Sequence, residues 1–192
     1  MAVNIKFSKV NPNAIIPSKR DEDMGFDIYA CFEDDYMIFY PHETRLIPTG
    51  IASACDSEYG FILRERGSTG SKGISLRCGV LDSGYRGEWF IGLTNTTNNI
   101  MFISKLPEKA TKERYVDEQM SRYTYATSKA EEYAKSAEAM LVERAVIYPY
   151  SKAIAQALVV PVPKVEVKEV SYEDLKEIKS ERGMGALGSS NK

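Results

Sequence analysis

Short apolar runs, broken by glycine, proline and charged turns, dominate the chain from Val3 to about Asn95. Tyr36–Tyr40, Thr44–Ala52, Gly60–Arg64, Gly73–Leu81 and Glu88–Thr94 each have the length and the β-branched or aromatic content of a strand. Pro41, Pro48-Thr49-Gly50 and the Gly67–Gly73 cluster punctuate these runs. The pattern predicts a mainly β protein, a compact sandwich or barrel. Between the last two runs stands Asp82-Ser83-Gly84. Aspartate and serine bond to their own backbone in tight turns, and glycine accepts positive φ there. The expectation is a β-hairpin with Asp82 and Tyr85 at its tip.

From about Thr96 to Tyr150 the pattern changes. Ser128-Lys-Ala-Glu131 has the form of a capping box and opens a helical run to about Arg144. Tyr133, Ala137, Met140, Leu141 and Arg144 recur there at helical spacing, a sparse apolar face expected to pack on the sheet or on another chain. Strand character returns at Ala153. Ala155–Val162 is almost continuously apolar, interrupted by Gln156 and Pro161, and an alternating Val165-Glu-Val-Lys follows. The expected organisation is one domain over 1–192, with an insertion at 96–150 that holds a helix near 128–145. A glycine-rich end at 181–192 has little to anchor it and is expected to be mobile.

Composition narrows the classes. A chain of 192 residues, 43% hydrophobic and 27% charged, is long enough for one well-packed domain. A net charge of −2 gives no general attraction to nucleic acid, although a small anion needs only a few local cations. No run approaches the roughly 20 apolar residues of a membrane span, and Met1–Lys6 has no signal-peptide core. Cys31, Cys55 and Cys78 are odd in number and lack metal spacing, and His42 is the single histidine. A zinc site or disulfide framework is therefore disfavoured, and a Ser-His-Asp triad would depend on His42 alone. The chain reads as a reduced, cytoplasmic protein.

The candidate chemistry lies in loops. Arg66 precedes Gly67-Ser-Thr-Gly-Ser-Lys-Gly73, which offers backbone N–H groups, hydroxyls and cations within a few residues, the elements of an anion nest. The end of the chain repeats the recipe with Arg182, Gly183, Gly185, Gly188, Ser189 and Ser190. Either loop alone is most simply a polar connection; together they favour phosphate binding, the second acting as a lid. Asp27 sits among apolar neighbours and either caps a turn, pairs with an arginine such as Arg66, or orients the water shell of a phosphate-bound Mg²⁺. Asp82 is either a turn former or a general base, and Tyr85 either core or a flat wall for a sugar or base. Gln156 within an apolar strand requires a backbone or ligand partner.

MGFDIYA (24–30), RGSTGSKG (66–73), GVLDSGYRGE (79–88), AIAQALVVP (153–161) and ERGMGALGSS (181–190), in this order, resemble the five motifs of the trimeric dUTPase family. Length and insertion look most like phage-encoded members. The resemblance implies a jelly-roll homotrimer that hydrolyses dUTP to dUMP and pyrophosphate, limiting dUTP and supplying dUMP for dTMP synthesis, with Mg²⁺ on the triphosphate. It implies that Asp82 activates the water attacking the α-phosphorus and that Tyr85 lies under the deoxyribose. Backbone groups of Gly79, Val80 and Leu81 would read the uracil edge. Arg66, Gly67, Ser68, Thr69 and Gln156 would contact phosphates from a second subunit. Arg182, Gly183, Leu187, Gly188 and Ser189 would close over the site from a third. No protein ligand to the metal is implied, with Asp27 at most behind its waters. The resemblance places a phage-encoded member in the host cytoplasm.

Three positions depart from the family pattern. Gly67 stands where the family commonly has serine, leaving Ser68 or a backbone amide to polarise the bridging oxygen. Ala153 stands where the fourth motif usually has arginine. Leu187 replaces the aromatic that stacks on uracil, a contact worth on the order of 1–3 kcal/mol elsewhere in base recognition. Two alternatives accompany the hydrolase. One is a dCTP deaminase or bifunctional relative, with Glu88 as the additional acid/base group. The other is a nucleotide-gated regulatory module that binds a protein through the insertion, where Tyr115, Tyr123, Tyr125 and Tyr133 look exposed.

Overall fold

The computed structural model describes residues 3–180. The chain divides into two compact units, Met1–Val162 and Pro163–Lys192. The first begins with strands β1 (Ile5–Lys9), β2 (Gly25–Ile28), β3 (Tyr36–Phe39), β4 (Thr44–Pro48) and β5 (Ile51–Cys55). Strand β6 (Tyr59–Arg64) runs into one helical turn, α1 (Gly67–Gly70), followed by β7 (Ile74–Arg77), β8 (Val80–Leu81), β9 (Phe90–Asn95) and β10 (Met101–Ser104). Helices α2 (Glu108–Ser121) and α3 (Ser128–Glu143) lead to β11 (Val146–Pro149) and β12 (Ala155–Pro161). In the second unit, α4 (Tyr172–Glu177) is capped by Ser171, whose hydroxyl accepts from Asp174 N at 3.1 Å.

The strands form a mainly β, jelly-roll architecture of small sheets: β2–β12–β6–β8, β4–β9–β7, β11–β10–β3 and the pair β1–β5. Among the described residues, β10 and β11 are the one pair that runs parallel. Parallel neighbours need a long crossover, and the two helices supply it. No helix among the described residues is long and apolar enough to cross a membrane.

The main core gathers alternate residues of the strands around fully buried Trp89, Phe39 and Phe61. Trp89 meets Phe61 and Phe7 edge-on, with centroids 5.0 and 5.7 Å apart. A second, smaller core forms under the helices from Ile100, Phe102, Tyr115, Val116 and Val142. Strand β10 serves both. Met101 and Ile103 enter the main core while Phe102 enters the second, so every residue of this strand is buried.

The structure corrects the sequence reading in several places. The run Thr44–Ala52 is two strands, β4 and β5, and the cap of α3 is Thr127 rather than Ser128. The run Gly73–Leu81 is not one strand: β7 pairs with β9, and the chain then turns at Cys78 so that β8 pairs with β6. Cys78 adopts φ 56°, whereas Gly84 does not occupy the left-handed region. A cysteine gives no warning of such a bend. Helix α2 has no counterpart in the sequence pattern, because it buries only Thr111, Tyr115 and Val116 and shows no apolar stripe. Tyr115 is buried rather than exposed. Helix α3 turns its large apolar residues outward: Tyr133 is 78% and Met140 73% exposed, and Val142 is the buried anchor. Ala134, Glu138 and Val142 share the inward side at i, i+4, i+8, and the glutamate hides that stripe from a hydropathy reading. The 96–150 stretch also contains β10 and β11, so its helical part narrows to 108–143.

Candidate active site

Two groups of candidate residues are built by different means. The first surrounds Asp82. Gly79 permits close passage of the chain over β6: its carbonyl accepts from Leu63 N at 2.7 Å, and a Cβ there would lie 2.9 Å from Leu63 O. Val80 and Leu81 then form the edge strand of their sheet, opposite Ile62 and Phe61. The outer backbone groups of an edge strand are available to a ligand. Asp82 closes a turn in which its carbonyl accepts from Tyr85 N at 3.1 Å. Its side chain is exposed. Tyr85 folds back over Gly87, where any side chain would collide with the ring, and its hydroxyl donates to Glu88 O at 3.0 Å.

Val80, Leu81, Asp82 and Tyr85 line a cavity of about 250 Å³ together with Leu63, Cys78, Glu88 and Phe90. Its walls are largely apolar, and its charged lining residues, Asp82 and Glu88, are both acids. Glu88 accepts from Gly50 N at 2.8 Å, so one of its oxygens braces the base of the turn.

The second group surrounds α1. Antiparallel register places Asp27 of β2 opposite Gln156 of β12, and Gln156 opposite Arg64 of β6. Three distant segments thus meet in one row. Two residues beyond Arg64, the Arg66 guanidinium returns to Asp27 in a forked pair, Nε to Oδ1 at 3.0 Å and the terminal nitrogen to Oδ2 at 3.2 Å. Of the sequence alternatives for Asp27, the structure realises the arginine pair. Gln156 Nε2 donates to Glu65 O at 2.8 Å, the backbone partner that a half-buried amide needs. Thr69 is fully buried and its hydroxyl accepts from Arg66 N at 2.9 Å, so its side chain shapes the turn rather than facing a ligand. Ser68 is exposed, and its Oγ lies 3.2 Å from Tyr148 Oη. Gly67 is open: a Cβ added there would meet nothing within 4 Å. Ala153 is buried, its carbonyl accepting from the Tyr148 hydroxyl at 2.7 Å.

Glu65 is a contributor that the sequence reading missed. Its carboxylate accepts from Leu76 N at 2.8 Å and Ser75 Oγ at 3.4 Å, tying β7 to the start of the α1 turn. Those bonds, Leu76 N–H first, hold its carboxyl below the ordinary carboxylate range. Its place immediately before Arg66 was the available signal.

Arg66, Ser68 and Gln156 do not line the cavity of Asp82 and Tyr85. Arg182, Gly183, Leu187, Gly188 and Ser189 lie outside the described residues. Among the described residues, no group of three or more His, Cys, Asp or Glu side chains is arranged to hold a metal ion.

The family model for dUTPase matches residues 11–107. A deoxyuridine 5'-triphosphate nucleotidohydrolase of Nautilia profundicola is 30% identical over 194 residues, covering 99% of this chain and all of that protein. Among solved structures, the dUTPase of Staphylococcus bacteriophage 80alpha with dUPNHPP superposes with a TM-score of 0.66 at 22% identity, over 98% of this chain and 99% of that one. A phage phi11 dUTPase of S. aureus, described with a structural Mg(II) ion, gives a TM-score of 0.58 at 17% identity over 87% and 96% of the two chains.

Proposed function

The chain belongs to the dUTPase family and hydrolyses dUTP to dUMP and pyrophosphate, and we propose on that premise how its residues divide the work. Asp82 is the general base. It orients a water molecule and takes its proton as the water attacks the α-phosphorus, with pyrophosphate leaving. Tyr85 forms the platform under the deoxyribose, and the free backbone edge of β8 reads the uracil. Arg66, the exposed Ser68 hydroxyl, the α1 amides and Gln156 hold the phosphate chain. Mg²⁺ carried on the triphosphate would neutralise part of its charge.

One observation carries this division. The Asp82 cavity has only carboxylates among its charged lining, and a triphosphate requires cations. Arg66 is not among the residues that line that cavity. We therefore place Arg66 of one copy beside Asp82 of another in a homotrimer with shared sites, a single dUTPase-like domain per chain, closed by residues 182–189 of a third copy. The protein acts in the cytoplasm, that of the host for a phage-encoded chain.

The test is a product assay with dUTP and, separately, dCTP in Mg²⁺, following pyrophosphate and ammonia together. Pyrophosphate from dUTP without ammonia from dCTP is expected. Ammonia from dCTP would move the chain to the deaminase alternative.

A second reading concerns α3, whose Tyr133, Met140 and Leu141 are exposed. We propose this face as the contact for a regulatory protein whose binding depends on nucleotide. Met140→Asp should then abolish that binding while leaving dUTP turnover intact.

A further inference from the structure

Tyr148 is buried in β11, yet its hydroxyl reaches the exposed α1 turn. Its Oη donates to Ala153 O at 2.7 Å and also lies 3.2 Å from Ser68 Oγ. A phenol has one proton to give. With that proton on the Ala153 carbonyl, the second bond runs the other way, from Ser68 Oγ–H into the tyrosine oxygen. Ser68 therefore has its proton turned inward and its lone pairs turned outward. That is the wrong polarity for meeting a phosphate oxygen. The inward bond is long for O–H···O, whereas a bond from a hydroxyl to an anionic oxygen is shorter and about twice as strong. Gly67 has no side chain, so Ser68 carries the exposed hydroxyl nearest to Arg66 along the turn.

We propose that Tyr148 is a positioning residue for Ser68, switching the direction of a two-hydroxyl chain when phosphate arrives. Ser68 turns its O–H outward to a phosphate oxygen. Tyr148 then turns its own O–H from the Ala153 carbonyl to Ser68 Oγ, giving the chain Tyr148 to Ser68 to phosphate. Each hydroxyl keeps its own proton, and only the directions of donation change. Donation from Tyr148 polarises the Ser68 hydroxyl and makes it the stronger donor. The Ala153 carbonyl gives up its side-chain bond in exchange. Tyr148 lies outside all five sequence motifs, and its neighbour Ile147 packs against the core beneath the helices. The strand leaving the insertion thus carries a group that acts on the phosphate turn.

This inference rests on the reading of the α1 turn as a phosphate site. The experiment is a double-mutant cycle of Tyr148→Phe and Ser68→Ala, measuring affinity for inorganic triphosphate by calorimetry and kcat/KM for dUTP. Each single variant is expected to weaken both about tenfold. The double variant is expected to be no worse than Ser68→Ala alone. Additive losses, a silent Ser68→Ala or a silent Tyr148→Phe would each overturn the proposal. If the wild-type chain does not turn over dUTP, the hydrolase reading falls, while triphosphate affinity still decides the role of Tyr148. Should Tyr148→Phe not fold, the ¹³Cζ shift of Tyr148 is followed during triphosphate titration of wild type and Ser68→Ala. A change confined to wild type supports the switch, and equal changes overturn it.

Discussion

The turn around Asp82 and the turn around Arg66 solve opposite problems. Asp82 is exposed and carries no side-chain partner among the described residues; close passages at Gly79 and Gly87 hold the chain around it while the acid stays free. Arg66 is cross-braced: Asp27 forks its guanidinium, Thr69 takes its N–H, and Gln156 and Leu76 fix Glu65, the residue before it. A base must keep an available lone pair, so its surroundings are built from backbone. A phosphate clamp must hold a flexible cation in one geometry, so it is built from ion pairs and hydrogen bonds.

The sharpest way to test that contrast is to neutralise the free acid. Asp82→Asn should reduce kcat by about 10²–10⁴-fold with little change in dUTP affinity or melting temperature, because the carboxylate stabilises no neighbour. Stopped-time product assays and calorimetric binding check it, and near-normal turnover would remove Asp82 as the base. The two turns should also complement one another between copies. Mixing inactive Asp82→Asn and Arg66→Ala subunits in equal amounts should restore about a quarter of the sites of a random trimer. Failure of refolded mixtures to regain any activity would place both groups in one subunit.

Smaller effects belong to the braced turn. Arg66→Lys loses the fork to Asp27 and should raise KM about tenfold with a smaller change in kcat. For Glu65 the sign follows from its lowered carboxyl pKa. The carboxylate contributes stability above the unfolded-state value near 4.3, and that contribution disappears as pH falls through the lower folded-state value. Melting curves between about pH 2 and 6 should therefore show a shallower acid limb in Glu65→Gln than in wild type. The mildest change is a gain. Gly67 has room for a side chain, so Gly67→Ser should fold normally and raise kcat modestly by adding a hydroxyl beside the phosphates.

The β character, the ordered motifs, the loop around Arg66 and the turn at Asp82 were legible in the sequence, because each has a local signature in glycine, hydroxyl or alternating residues. What stayed hidden depends on neighbours remote along the chain. The row Asp27–Gln156–Arg64 exists only through strand register. The bend at Cys78 is imposed by competition between two sheets, and α2 is held by a few buried side chains rather than by an apolar stripe of its own. The inward side of α3 is concealed for the same reason: tertiary contact selects Val142 over the larger residues around it.

Strand β10, buried on both sides, makes the helices difficult to remove. Trimming residues 108–143 to a short loop would leave Phe102, Ile100, Tyr36, Ile38 and Ile147 facing water at once. A lineage that gains or sheds this segment must therefore rewrite the outer face of β3, β10 and β11 in the same step. A shortened variant designed for the laboratory needs polar substitutions at those positions before its behaviour says anything about the helices themselves.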